Sequence, residues 1–201
     1  MRKAFGKLHG AMKAVRIHKH GGLEALVYET VPDPKPRPDE VLIEVKACAL
    51  NHLDLWTRKG LPRIQIPLPI TPGSDIAGVV AAVGKTAQGV NLGDKVIAVP
   101  GVTCGACKAC LAGNDSMCAR YSILGFGRDG GCAEFVSVPA VNVVPLPEGL
   151  TFVEASSVPL VFMTAWHMLV TRVKVQAGED VLVWGANSGV GIAAIQVAKL
   201  F

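Results

Sequence analysis

Apolar and polar residues alternate along the first three quarters of the chain, and then the alternation stops. Residues 12–17 interleave apolar and basic side chains, as an edge strand does. The proline-rich run 31–38, VPDPKPRP, reads as a stiff extended connector leading to a turn at Asp39 and Glu40. Beyond it, Val41, Ile43, Val45 and Ala47 fall on one face of a strand, with Leu42, Glu44 and Lys46 on the other. Further strand-like runs cover 78–83, 95–99, 133–138 and 141–145, separated by glycines and prolines. Many short strands between turn signals predict a β-barrel or sandwich. Near Leu150 the period changes. Residues 152–173 read as helical, with the uncharged stretch 155–171 expected to be a buried helix, and 181–184, VLVW, read as a short, fully buried strand opening α/β structure. The pattern therefore divides into a β unit over 12–150 and a second unit over 151–201.

The strand at 181–184 runs into Gly185, Ala186, Asn187, Ser188, Gly189, Val190 and Gly191, followed by an Ala-rich helical segment. Strand, glycine turn and helix N-terminus together make a cradle for a diphosphate, because free N–H groups and the helix dipole face its negative charge. The loop spacing is GxxxGxG rather than GxGxxG, and a tight packing turn without a ligand is the competing reading. A first strand and helix cannot bury their own faces, so this segment is expected to open a larger dinucleotide-binding domain. The side chain that chooses NAD or NADP would lie about 20 residues past the turn.

Composition narrows the class without changing the pattern. Half the residues are hydrophobic and 18% are charged, which excludes a disordered chain. The net charge of +4 is spread out and no basic groove carries interleaved aromatics, so nucleic acid is not an expected partner. The uncharged run 155–171 contains Pro159 and His167 and is short for a membrane span. No apolar core follows the basic residues 1–19, so a secretory signal is not expected, the location is expected to be cytoplasmic, and Met12 is a candidate start.

Cysteine spacing adds chemistry. Cys104, Cys107, Cys110 and Cys118 bring four thiols into one short loop, with Gly105 and Gly113 letting it fold around a tetrahedral Zn²⁺. A pair of disulfides is the alternative, and it belongs to an oxidising compartment. A closed four-thiolate shell leaves no open position, so one structural zinc per chain is expected, in a lobe at about 100–120. Cys48 and Cys132 stand apart and read as buried free thiols.

Taken in order, Asn51-His-Leu-Asp54, Pro72-Gly73 through Gly78, Val83-Gly84, Gly93-Asp-Lys-Val96, the cysteine lobe, Asp129-Gly-Gly131, Ala133-Glu-Phe135 and the terminal glycine turn resemble the medium-chain dehydrogenase/reductase superfamily, the zinc alcohol dehydrogenases and quinone oxidoreductases. The resemblance implies a GroES-like β-barrel domain with a structural zinc lobe, followed by the start of a Rossmann-type domain, with substrate and NADP or NAD meeting between them. It also implies a homodimer or homotetramer acting on a small molecule.

The departures from that family are informative. Its zinc alcohol dehydrogenases carry a Cys where this chain has Asn51, and Gly-His-Glu where it has Gly73-Ser74-Asp75; near 161–162, where a third ligand belongs, no ligand type is present. Catalytic zinc needs about three protein ligands, so none is expected. Reduction of a quinone or an α,β-unsaturated carbonyl by NAD(P)H needs no such metal. By resemblance Asn51 donates its amide to the acceptor oxygen, or alternatively caps the following turn or helix. His52 contacts cofactor phosphate or relays a proton, or is simply packed or solvated. Asp54 acts as a base or hydrogen-bonds within its turn, Asp75 partners a nearby cation, Trp56 lines the pocket or the core, and Thr164 approaches the nicotinamide ring. Two other readings stand: an alcohol dehydrogenase with atypical ligands such as Cys48, His52 and Asp75, which predicts two zinc ions per chain, and a non-catalytic zinc-stabilised module, which predicts no cofactor binding.

Overall fold

The computed structural model describes residues 10–201. The chain opens with an antiparallel ribbon, β1 (Ala11–Ile17) and β2 (Leu26–Pro32), in full register from Ala11 opposite Pro32 to Ile17 opposite Leu26. β2 was not expected. Its sequence, LVYETVP, has no strict alternation, and Val31 and Pro32 of the presumed connector belong to it.

The central sheet contains β3 (Glu40–Ala49), β4 (Asp75–Val83), β5 (Lys95–Ala98), β8 (Phe135–Pro139) and β9 (Val143–Pro145). Its strand order is β8-β3-β4-β5-β9, antiparallel throughout. Val41, Ile43, Ile76, Val80, Val96, Leu124, Val136 and Val138 form one buried core against it. Beyond β8 the ribbon continues the sheet, through the bridge Ala14–Ala133 and the Val15 N–H donating to the Cys132 carbonyl at 2.8 Å. Leu42, expected on the polar face, is fully buried. β3 is an interior strand with neighbours on both edges, a helix packs across it, and the register shifts between Leu42 and Ile43.

A polar contact pins this interior strand. Glu40, 3% exposed, accepts from the Arg128 guanidinium at 2.8 Å and from the Ser137 hydroxyl at 2.7 Å. Burial alone would push the Glu40 carboxyl up, but those two donors and the Arg37 N–H hold it below its ordinary value.

The cysteine lobe leaves the sheet through a two-residue neck, β6 (Gly101–Val102) paired with β7 (Ser122–Ile123). Asn142 bolts the neck down, its amide donating to the carbonyls of Val99 at 3.0 Å and Gly101 at 2.6 Å.

Past residue 150 come α3 (Phe152–Ser156), α4 (Pro159–Trp166), a π-helical turn over His167–Val173, and α5 (Gly189–Ala198). Thr151 caps α3 reciprocally with Glu154, its hydroxyl accepting the Glu154 N–H and its own N–H donating to that carboxylate. Two expectations fail here. The stretch 155–171 is neither one helix nor fully buried: Ser157 and Val158 interrupt it, Pro159 restarts it, and Trp166 and Met168 are exposed. Residues 181–184 form no strand, and Leu182 and Trp184 are 82% and 90% exposed. A lone extended run has no ladder to complete its backbone hydrogen bonds and no second layer to bury its side chains, and no strand of the described chain lies beside this one. What does pack is α4 against α5, through Ala165, Leu169, Ala193, Ala194 and Val197.

Among the described residues, no helix is long and apolar enough to cross a membrane.

Candidate functional site

β3 ends at Ala49, and Leu50 and Asn51 lead into α1 (His52–Lys59). The backbone N–H of Asn51 donates to Asp54 Oδ2 at 2.7 Å, tying down the first helical turn. The other Asp54 oxygen reaches across the chain and accepts the Gly73 N–H at 2.8 Å. Burial pushes the Asp54 carboxyl up, against those two backbone donors. Asp54 thus bonds within its own turn, as one of the two alternatives has it, and also clamps the distant segment that leads into β4.

Asn51 is the N-cap of α1, in a capping box with Asp54, and its side chain makes a second contact as well. Its Nδ2 donates to Asp75 Oδ2 at 2.8 Å, while Asp75 Oδ1 accepts the Leu160 N–H at 2.7 Å. Leu160 lies in the first turn of α4, behind Pro159, where backbone N–H groups lack helical partners and a carboxylate is favoured. Asp75 is 1% exposed, and burial pushes its carboxyl up to about 6 despite both hydrogen bonds, with the Asp54 charge adding to the rise. The expected cation partner of Asp75 is therefore replaced by an amide and a helix N-terminus. Ser74, fully buried, has no hydrogen-bond partner for its hydroxyl among the described residues.

His52 is exposed on α1, its ring 6.1 Å from that of the half-exposed Trp56, so both lie at the surface of this region and neither belongs to a core. Thr164 sits one turn beyond Leu160 in α4 and donates its hydroxyl to the Leu160 carbonyl at 2.7 Å.

The glycine turn is built on the far side of α4. Gly185 adopts φ +67°, and Ser188 caps α5 by accepting the Gly191 N–H at 3.0 Å. A side chain on Gly191 would collide with the Gly185 carbonyl and Ala186, so only glycine lets the turn fold back on the helix. The N–H groups of Gly189 and Val190 have no protein acceptor among the described residues. A Cβ on Gly189 would lie 3.1 Å from Val161 Cγ1. One continuous path therefore runs from Asn51 through Asp75 and Leu160 to Val161 and Gly189. The polar cluster and the glycine turn both touch the first turn of one helix.

In the lobe, where α2 (Lys108–Leu111) carries Cys110, the four cysteine sulfurs all lie within 4.8 Å of one another. Cys107 and Cys110 are 3.5 Å apart, and Cys104 and Cys110 are 3.9 Å apart. A Zn–S bond of ~2.3 Å requires tetrahedral edges of roughly 3.8 Å, so the cage fits this ion. The N–H groups of Ala106 and Cys107 pull the Cys104 thiol down to about 5, and Cys118 accepts the N–H groups of Cys104 at 3.5 Å and Arg120 at 3.4 Å. Donors aimed at sulfur are what a thiolate cage needs. Among the described residues this is the one group of three or more such ligands gathered together, and Cys48, His52 and Asp75 are not assembled into another.

The alcohol dehydrogenase GroES-like domain model matches residues 37–148, more than half of the chain. The chain belongs to this family. It is thereby a member of the medium-chain dehydrogenase/reductase superfamily, with mixed β and α/β architecture. This GroES-like chain is 34% identical over 191 residues to the quinone oxidoreductase of Homo sapiens, covering 94% of itself and 50% of that protein. It is 36% identical to the acryloyl-coenzyme A reductase of Sulfurisphaera tokodaii, covering 94% of itself and 55% of the relative. A solved structure described as an NAD-dependent alcohol dehydrogenase superposes with a TM-score of 0.90 at 50% identity, over 94% of this chain and 55% of that one. The GroES-like chain thus spans about half the length of the relatives it matches.

Sequence reasoning missed the Asp75–Leu160 link. Its one local signal was Pro159 opening a helix, and nothing in the sequence joins it to a carboxylate 85 positions earlier.

Proposed function

We propose that this chain is the substrate-binding part, residues 12–150, and the opening of the dinucleotide-binding part, residues 151–201, of an oxidoreductase. The enzyme passes hydride from NADPH or NADH to a quinone or an α,β-unsaturated carbonyl. The carrying observation is the Asn51–Asp75–Leu160 hydrogen-bond chain. It begins at Asn51, where the resembling alcohol dehydrogenases keep a metal-ligating Cys, runs directly beside Ser74 and 161–162, where their other two ligands belong, and sets an oriented amide there. The similarity to a quinone oxidoreductase and an acryloyl-coenzyme A reductase supports the same acceptor class.

In this reading the cofactor, when bound, supplies the hydride. The N–H groups of Gly189 and Val190, at the positive end of α5, hold its diphosphate. Asp75 fixes the Asn51 amide through one N–H, leaving the second to hydrogen-bond an acceptor oxygen as negative charge develops there. His52 and Trp56 stand at the surface beside it, and Asp54 keeps the Gly73 segment in place. The lobe's zinc, held by Cys104, Cys107, Cys110 and Cys118, is structural.

Steady-state turnover of reduced nicotinamide against a panel of quinones and enones, with the whole protein, tests the proposal. Asn51→Ala should lower kcat by about 100-fold and leave zinc content unchanged. Equal turnover by the variant, or activity with simple alcohols alone, would overturn it. The similarity to an NAD-dependent alcohol dehydrogenase favours a second reading, with a catalytic zinc at atypical ligands. Zinc counting separates the two: one ion per chain supports the first, and a second, easily stripped ion supports the other.

A further inference from the structure

Cys48 and Cys132 belong to neither the zinc lobe nor the Asn51 chain, yet they meet beside it. Both sulfurs crowd the space over Gly73: a Cβ built there would lie 2.6 Å from Cys48 Sγ and 2.9 Å from Cys132 Sγ. Cys48 is held in β3 opposite Ile76. Cys132 is fixed on both sides of its peptide, its N–H donating to the Pro72 carbonyl at 3.0 Å and its carbonyl accepting the Val15 N–H. Neither residue is fully buried. We infer that Cys48 and Cys132 are a redox-active dithiol, a modification site that takes a two-electron oxidant of the peroxide class and closes to a disulfide across Gly73.

The two thiols are unlike each other. The contact with Cys132, followed by burial, pushes the Cys48 thiol up, whereas the same contact lowers Cys132 against its own burial. Cys132 is therefore the nucleophile and Cys48 the resolving partner. The Cys132 thiolate attacks one peroxide oxygen; the O–O bond breaks, hydroxide leaves and is protonated to water, and Cys132 becomes a sulfenic acid. The Cys48 sulfur then attacks the Cys132 sulfur. The S–S bond forms, the S–O bond breaks, and the departing hydroxide takes the Cys48 proton as a second water. Two thiols lose two electrons, and one peroxide becomes two waters. Asp54 holds the Gly73 N–H on the other side of the same residue, so the bridge closes against the segment that positions Asn51.

The test is titration of the zinc-loaded chain with hydrogen peroxide, followed by peptide mapping without reductant and by zinc analysis. The expected result is one cross-linked peptide pair joining Cys48 to Cys132, lighter by two hydrogen atoms, with zinc retained. Cys132→Ala should react at least about tenfold more slowly at this site, and Cys48→Ala should leave a sulfenic acid on Cys132 that dimedone traps. Three results would overturn the inference: both residues staying reduced while the lobe cysteines oxidise, both reaching sulfinic acid without a bridge, or Cys48 oxidising in Cys132→Ala at the wild-type rate. The cross-link map of the unmodified sequence decides the matter even if a variant folds poorly.

Discussion

Val41 and Leu182 both sit in short apolar runs that read as strands, yet Val41 is fully buried and Leu182 is 82% exposed. The side chains are similar; the surroundings are not. Val41 lies in β3, paired opposite Val138 on one edge and Val83 on the other. Leu182 has no strand beside it among the described residues. Burial in a sheet is a property of the ladder, and a run of β-forming residues acquires it only where another segment completes its hydrogen bonds. The cysteine lobe is a third case. Between residues 103 and 121 only Cys118 is buried, and Leu111 and Met117 are exposed, so no apolar core holds that loop.

The largest effect expected from this comparison is in the lobe. Stripping its zinc removes a contribution on the order of 10 kcal/mol. Hydrogen exchange should then accelerate across residues 103–121 while β3 and β4 stay protected. Equal protection with and without metal would mean that the loop holds itself. Next comes the sheet core. Ile43→Ala should lower unfolding stability by about 4 kcal/mol, read from urea midpoints, whereas Leu182→Ala should change it by no more than about 0.5 kcal/mol. Comparable losses would show Leu182 to be packed after all.

Glu40→Ala tests the polar pin on β3. Removing it leaves the partly buried Arg128 guanidinium without its carboxylate and with only the Ser137 carbonyl, at a cost of about 3 kcal/mol. Because the folded protein holds the Glu40 carboxyl below its ordinary value, this contribution is present at neutral pH and is lost as pH falls through the carboxylate range. In the variant, that acid-side loss should shrink.

The last effect has the opposite sign. Asp75 is raised from 3.8 to about 6, so the folded state binds its proton more tightly than the unfolded chain does. Stability from this group is full below pH 3.8 and declines as pH rises towards 6. Asp75→Asn should flatten the stability profile in that window, and an unchanged slope would assign the titration elsewhere.

How much of this was readable beforehand follows from the range of each interaction. β3, β4, β5, β8 and β9 announce themselves by alternation broken by glycine and proline, because the signal and the structure are both local, whereas the two-residue β6 and β7 are too short to show a period. The zinc cage is legible for the same reason, its four ligands lying in one short loop. β2 escaped because Tyr28, Glu29 and Thr30 blur its period, and it is recognisable only as the partner of β1. The buried strand at 181–184 was misread because periodicity records what a segment can bury and not whether anything covers it. Asn51 was singled out by the resemblance alone. Its orientation depends on Asp75, and the orientation of Asp75 on Leu160, contacts between distant parts of the chain that no short motif encodes.

Gly73 joins several of these strands of evidence at one carbon atom. Its φ of +99° suits glycine, its N–H is held by Asp54, and its carbonyl accepts the Gly131 N–H. The space where a side chain would start is already shared by two sulfurs. In genetic terms the position has no conservative neighbour: even alanine, the mildest replacement, arrives with a methyl group that has nowhere to go. A lineage that kept the fold could vary Cys48 and Cys132 only while Gly73 stayed fixed, because the Cys132 backbone nitrogen, 2.8 Å from where a Cβ would start, blocks a side chain there whichever sulfur is lost.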